Sequence, residues 1–201
     1  MSIKAIIPAR GGSKGILKKN IVDFAGKPLL AWTIEQAKKA SYIDAVYVSS
    51  DDYEILEVAK EHGANPIKRP PEISGDKATS ESCLLHALQH MNAPSAAVFS
   101  QATSPLRESQ DIDHAIKKFN KEKLDSLFSA TPLEDFFIWR VNKAHVMSYN
   151  YDYRERKRRQ DISGQIVENG SFYIFKPSVL AEHNNRLGGK IGYSLMDSWK
   201  L

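Results

Sequence analysis

The sequence lacks any apolar run near the roughly 20 residues needed to cross a bilayer. It also lacks the long apolar segment and small-residue cleavage site of a secretory leader, because Met1-Ser2-Ile3-Lys4 runs directly into a strand-like stretch. Cysteine is nearly absent: with Cys83 alone no internal disulfide can form, and a reducing cytoplasm is the expected setting. Cys83 begins the apolar stretch Cys83-Leu84-Leu85 and reads as buried packing, not as a nucleophile. Repeats, low-complexity tracts, a His-Glu-x-x-His motif and a plausible Ser-His-Asp set are missing. His86 and His90 share one helix face but have no third ligand at suitable spacing.

What is present is enough for one packed domain. Of 201 residues, 42% are hydrophobic and 26% charged, which argues against wholesale disorder. The net charge of +4 favours anionic partners, and much of the excess lies in Arg154-Glu155-Arg156-Lys157-Arg158-Arg159. No RNA-recognition, helix-turn-helix or zinc-finger pattern accompanies that run, so a nucleic-acid module is the weaker reading.

Strand and helix patterns alternate. Lys4–Ile7, Ala45–Ser49, 65–68, Ala96–Ser100, Ser126–Thr131 and Ser171–Phe175 read as strands. Helices are expected over Pro28–Ala40, Tyr53–His62 with Asp51 and Asp52 as caps, from Thr79 to about Met91, over Ser109–Asn120, and after Pro177. This order predicts an α/β fold, a mostly parallel central sheet flanked by helices. The pattern breaks at Pro132, so 132–166 is read as an insertion. Its aromatic stretch Phe136-Phe137-Ile138-Trp139 would need a cover, which points to a dimer contact.

The chemistry concentrates after the first strand, in Pro8-Ala9-Arg10-Gly11-Gly12-Ser13-Lys14-Gly15. Glycines allow backbone N–H groups to converge on one anion, and Arg10, Lys14 and Lys19 add positive charge. Neither the dinucleotide fingerprint nor the Gly-Lys-Ser/Thr triphosphatase loop fits this spacing. A phosphate chain at the carboxyl end of a parallel strand is the expected guest.

The loop resembles that of the acylneuraminate cytidylyltransferases, the CMP-sialic acid synthetases. Lys19-Asn20, Gly26-Lys27-Pro28-Leu29-Leu30, Ser49-Ser50-Asp51, Arg69-Pro70-Pro71-Glu72 with Asp76, Gln101-Ala102-Thr103-Ser104-Pro105-Leu106-Arg107 and Glu168-Asn169-Gly170-Ser171-Phe172-Tyr173 extend the resemblance, in order, through nearly the whole chain. It implies a single Rossmann-like nucleotidyltransferase domain over 1–201 that homodimerises through the inserted arm, using CTP, Mg²⁺ and an acidic 2-keto sugar. Neither nucleic acid nor membrane is implied as a partner.

Carried over by motif position, Arg10, Gly11, Gly12, Ser13, Lys14, Lys19 and Asn20 meet the triphosphate, with Arg10, Lys14 and Lys19 catalytic. Arg69 and Ser80 meet the nucleoside; Gln101, Thr103, Ser104, Arg159 and Gln160 meet the sugar. The resemblance places the Asp-x-Asp metal carboxylates beyond Leu201, so the carboxyl end reads as truncated. A nucleotide-binding dimer without catalysis, and an activator of Kdo-type sugars, are the alternatives. Glu168 departs from relatives that carry a basic residue before Asn-Gly, which leaves the choice of sugar open.

Overall fold

The computed structural model describes residues 2–133, 136–143, 145–158, 161 and 164–200. Seven strands form one sheet: β1 (Ile3–Pro8), β4 (Ala45–Ser50), β5 (Asn65–Lys68), β6 (Ala96–Ser100), β7 (Ser126–Pro132), β10 (Ile166–Phe175) and β11 (Ile191–Leu195). Their order is β5-β4-β1-β6-β10-β7-β11. All are parallel except β10, which runs antiparallel to both β6 and β7. The edge strand β11 was not expected from the sequence, and neither were two short strands, β2 (Asp23–Phe24) and β3 (Lys27–Pro28), that pair after the glycine-rich loop. Pro28 closes β3, so α1 begins one residue later than the sequence reading placed it (Leu29–Lys39).

The strands with continuous apolar runs are buried on both faces, and the pleat divides their side chains between two cores. Ile3, Ala5, Ile7, Val98, Phe172 and Ile174 pack on one side with α1, α2 (Tyr53–Glu61) and α4 (Ser109–Lys121). Ile6, Ala97, Phe99, Tyr173 and Phe175 face the other side, toward α3 (Ser80–Gln89) and α5 (Pro177–His183).

Caps set three of the helix starts, with Thr79 Oγ1 accepting from Ser82 N (3.1 Å) at α3. The Asp52 carboxylate accepts from Glu54 N (2.8 Å) and Ile55 N (3.3 Å) at α2, while Asp51, the other expected cap, is drawn elsewhere. At α4, Glu108 and Asp111 close a reciprocal capping box.

Within the segment read as an insertion, β8 (Trp139–Asn142) and β9 (His145–Ser148) form a separate antiparallel hairpin. All four residues of β8 are exposed. Aromatic rings gather at its base: Phe137 lies 4.4 Å from Tyr151, Trp139 lies 5.8 Å from Tyr153, and the Arg156 guanidinium stands 4.6 Å over Phe137. Among the described residues no helix is long and apolar enough to cross a membrane.

Candidate active site

The strand order reverses at β1: the chain proceeds outward through β4 and β5, then returns to place β6 on the other side of β1. Ligands of open α/β sheets collect at such a point, outside the carboxyl ends of the strands. Here a cavity of about 370 Å³ opens, lined by Pro8, Arg10, Ser13, Lys14, Gly15, Lys19, Asn20, Ser80, Phe99, Gln101, Ala102 and Thr103. A second cavity of about 320 Å³ shares Pro8, Arg10 and Ser80 with it and reaches Arg69, Asp76 and Cys83.

The glycine-rich loop is anchored before any ligand arrives. Ala9 N donates to Ser49 O (3.0 Å), and the buried Asn20 donates through Nδ2 to Arg10 O (2.9 Å). Gly11 N donates to Asp51 Oδ1 (3.1 Å), and Ser13 N donates to Gly11 O (2.9 Å). These bonds correct the expectation that the successive amides all face an anion, since Gly11 and Ser13 direct theirs into the protein. Gly11 has a packing reason to be glycine: a Cβ there would stand 2.6 Å from Asp52 Oδ2 and 2.8 Å from Asp52 Cβ. Nothing would crowd a side chain at Gly12.

The loop's cations are not idle. Asp76 bridges Arg10 (3.1 Å) and Lys14 (2.5 Å), one carboxylate oxygen to each. Lys14 first, and Arg10 after it, hold that carboxyl below its ordinary pKa. An anion therefore already sits on two of the groups expected to meet phosphate. Sequence reading quoted Asp76 but assigned it no role, because the pairing spans 66 residues.

Arg69, expected at the nucleoside end, borders the second cavity but is only 3% exposed. Its Nε donates to Ser74 Oγ (3.1 Å), NH1 to Cys83 Sγ (2.7 Å), and NH2 lies 3.6 Å from Asp51. Its guanidinium thus ties β5 to the 70–76 turn and the start of α3. Cys83 is buried.

Of the residues expected to meet the sugar, Gln101 and Thr103 enter the first cavity, whereas Ser104 is not among its lining residues and donates its N–H back to Gln101 O (3.4 Å) in a turn. The Asn169-Gly170 bulge of β10 lies against Gln101, with the Gly170 Cβ position 3.5 Å from Gln101 Nε2. Glu168 accepts a hydrogen bond from the Tyr173 hydroxyl, and Tyr173 stacks on Phe99 at 5.6 Å. Arg159 and Gln160 lie outside the described residues.

A divalent cation finds no ready home here. Asp51, Asp52 and Asp76 have the partners given above, and Asp197 lies 3.6 Å from Lys200. Among the described residues no group of three His, Cys, Asp or Glu side chains could hold a metal ion, and the tilted rings of His86 and His90, 4.2 Å apart, have no third ligand. The described residues do not fit a resident Mg²⁺.

Comparison with known proteins agrees with this architecture. A cytidylyltransferase family model matches residues 4–196. N-acylneuraminate cytidylyltransferase A of Danio rerio is 38% identical over 202 aligned positions, covering 99% of this chain and 47% of the relative. Pseudaminic acid cytidylyltransferase of Campylobacter jejuni (serotype O:23/36) is 36% identical over 84% of this chain and 76% of its own length. The chain spans about half the length of the N-acylneuraminate enzymes it matches, 47% and 44% for two fish proteins. Among solved structures, the CMP:2-keto-3-deoxy-manno-octonic acid synthetase complexed with CTP superposes with a TM-score of 0.75 at 14% identity, covering 98% of this chain and 91% of the other, a likeness of fold. With the family model spanning nearly all of the sheet and two relatives above one-third identity, the chain belongs to the cytidylyltransferase family.

Proposed function

We propose that this chain joins an acidic 2-keto sugar of the nonulosonic (sialic) type to CMP, using CTP and releasing pyrophosphate. The observation that carries the reading is the convergence of Arg10, Lys14 and Lys19 with Gln101 and Thr103 on one cavity at the switch point of a cytidylyltransferase sheet. The names of its relatives, which activate acylneuraminic and pseudaminic acids, favour that class of sugar.

In this reading the anomeric hydroxyl oxygen attacks the α-phosphorus in line. An O–P bond forms, the bond to the β-phosphate breaks, and pyrophosphate leaves as the hydroxyl proton is lost. Such a transition state is stabilised by positioning and by cations placed where negative charge grows. Arg10 offers paired donors to phosphate oxygens, and Lys14 and Lys19 offer mobile point charges. Ser13 and Asn20 border the same space, and Ser80 stands where both cavities meet, suited to the nucleoside. Arg69 supports that end by shaping its wall. Mg²⁺ is proposed as the companion of CTP, with no step assigned to a protein-held ion.

The exposed hairpin and its aromatic base support a homodimer through 132–166; sugar contacts by Arg159 and Gln160 remain part of the proposal by motif position alone. A cytoplasmic location is part of the same proposal, in keeping with Cys83 as the lone cysteine.

The test is pyrophosphate release from CTP and Mg²⁺ with N-acetylneuraminic, legionaminic, pseudaminic and Kdo acids in turn. Release with one of the first three supports the proposal; release with Kdo alone moves it to the octulosonic class. CTP binding without release from any acid supports a nucleotide-binding dimer and overturns catalysis by this chain.

A further inference from the structure

Arg107 is the largest side chain that is almost wholly buried, 2% exposed, and no carboxylate lies within ion-pair distance of it among the described residues. Burial pushes its pKa down to about 10. A buried guanidinium with no carboxylate in contact, its burial opposed by the charge of nearby Asp111, is still costly, so its hydrogen bonds show what it is kept for. NH1 donates to Ser171 O (2.7 Å) and Ser171 Oγ (3.2 Å), while Nε and NH2 have no partner among the described residues.

The Ser171 carbonyl has a second donor, Gln101 N at 3.1 Å. Ser171 N in turn donates to Asn169 Oδ1 (3.1 Å), which also accepts from Ser129 Oγ (2.6 Å). Between them Gly170 adopts φ +69, and a Cβ there would lie 3.5 Å from Gln101 Nε2, in ordinary van der Waals contact. The bulge of β10 and the first residue after β6 are thus locked together at one carbonyl, with the Arg107 guanidinium behind it.

We propose that Arg107 is a positioning residue for the sugar, holding Gln101 and the Asn169–Ser171 bulge in register through the Ser171 carbonyl. The inference rests on the sugar reading of the Gln101 end. The triphosphate end is anchored separately, through Asn20, Asp51 and Ser49, so the two ends are separable by experiment.

Calorimetric binding of the four sugar acids to the chain saturated with CDP, which lacks the leaving pyrophosphate, measures the sugar end alone. Binding of CTP without sugar measures the other. Arg107→Met weakens the acid that the parent binds by roughly ten- to hundred-fold, the loss expected of a charged hydrogen bond, and leaves CTP binding unchanged. Arg107→Lys, keeping the charge and one donor, recovers part of the loss. Where Arg107→Met does not fold by circular dichroism, Gly170→Ala is the measurement. It strains the left-handed backbone beside Gln101 with Arg107 intact, and gives the same selective loss.

Unchanged sugar binding in the folded variant, equal loss of sugar and CTP, or no recovery with lysine where methionine folds overturns the role. A parent that binds CTP and none of the four acids instead overturns the sugar reading, and the inference falls with it.

Discussion

Gly11→Ala should destabilise the fold through one identifiable neighbour. The new methyl group would stand 2.6 Å from Asp52 Oδ2 and 2.8 Å from Asp52 Cβ, distances that real Cβ atoms do not tolerate. Asp52 must rotate, giving up its bonds to Glu54 N and Ile55 N at the start of α2, for about 1 kcal/mol. The remaining contact with Asp52 Cβ needs a backbone shift, adding about 1–2 kcal/mol by analogy with overpacked cores. The sum of about 2–3 kcal/mol corresponds to a melting temperature about 4–12 °C lower for a chain of this size. Urea unfolding with an unchanged m-value measures it directly.

The decisive control is Asp52→Gly, which removes both offending atoms and, as a glycine cap, costs only a few tenths of a kcal/mol. In that background Gly11→Ala should lose most of its effect, a coupling of about 2–3 kcal/mol. Wild-type stability in Gly11→Ala, or the same cost in both backgrounds, would refute the steric account and return Gly11 to the role of a phosphate-facing amide alone.

Other tests address charge. Asp76→Asn frees Arg10 and Lys14 from a bridging carboxylate and should tighten CTP binding a few-fold at low salt, seen by calorimetry; weaker binding would mean that Asp76 instead holds the two cations ready. Asp125 ties Lys176 (2.7 Å) and Lys190 N (2.8 Å) to the start of β7, and its pKa is lowered, chiefly by Lys176 and the Lys190 amide. Its stabilising contribution is therefore complete above the ordinary carboxylate range and fades as pH falls through the lowered value. Asp125→Asn should lower the melting temperature at pH 7 and converge with the parent in acid, where a pH-independent gap would exclude the linkage.

Much of the architecture is legible in the sequence because its signals are local. Ala5–Ile7 and Ala96–Phe99 are apolar without interruption, as strands covered on both faces must be, and α2 and α4 carry one apolar stripe each. The glycine-rich loop follows the first strand, and the switch-point rule then puts it at the site. Pro28, by contrast, was drawn into β3 because Phe24 and Lys27 pair there, a contact that helix-start rules do not contain.

The main helices, six of the seven central strands, the family and the residue types able to meet phosphate follow from local sequence signals; the edge strand β11 does not. Only the tertiary structure decided how those residues are used. It turned the Gly11 amide to Asp51 and set Asp76 on Lys14 and on Arg10, the latter 66 residues away. It also buried Arg69 in the wall of the site and seated Arg107 behind a carbonyl 64 residues distant. Periodicity reports which face of an element is apolar. The pairing of charges and the sharing of one carbonyl depend on distances between elements, which the fold alone supplies.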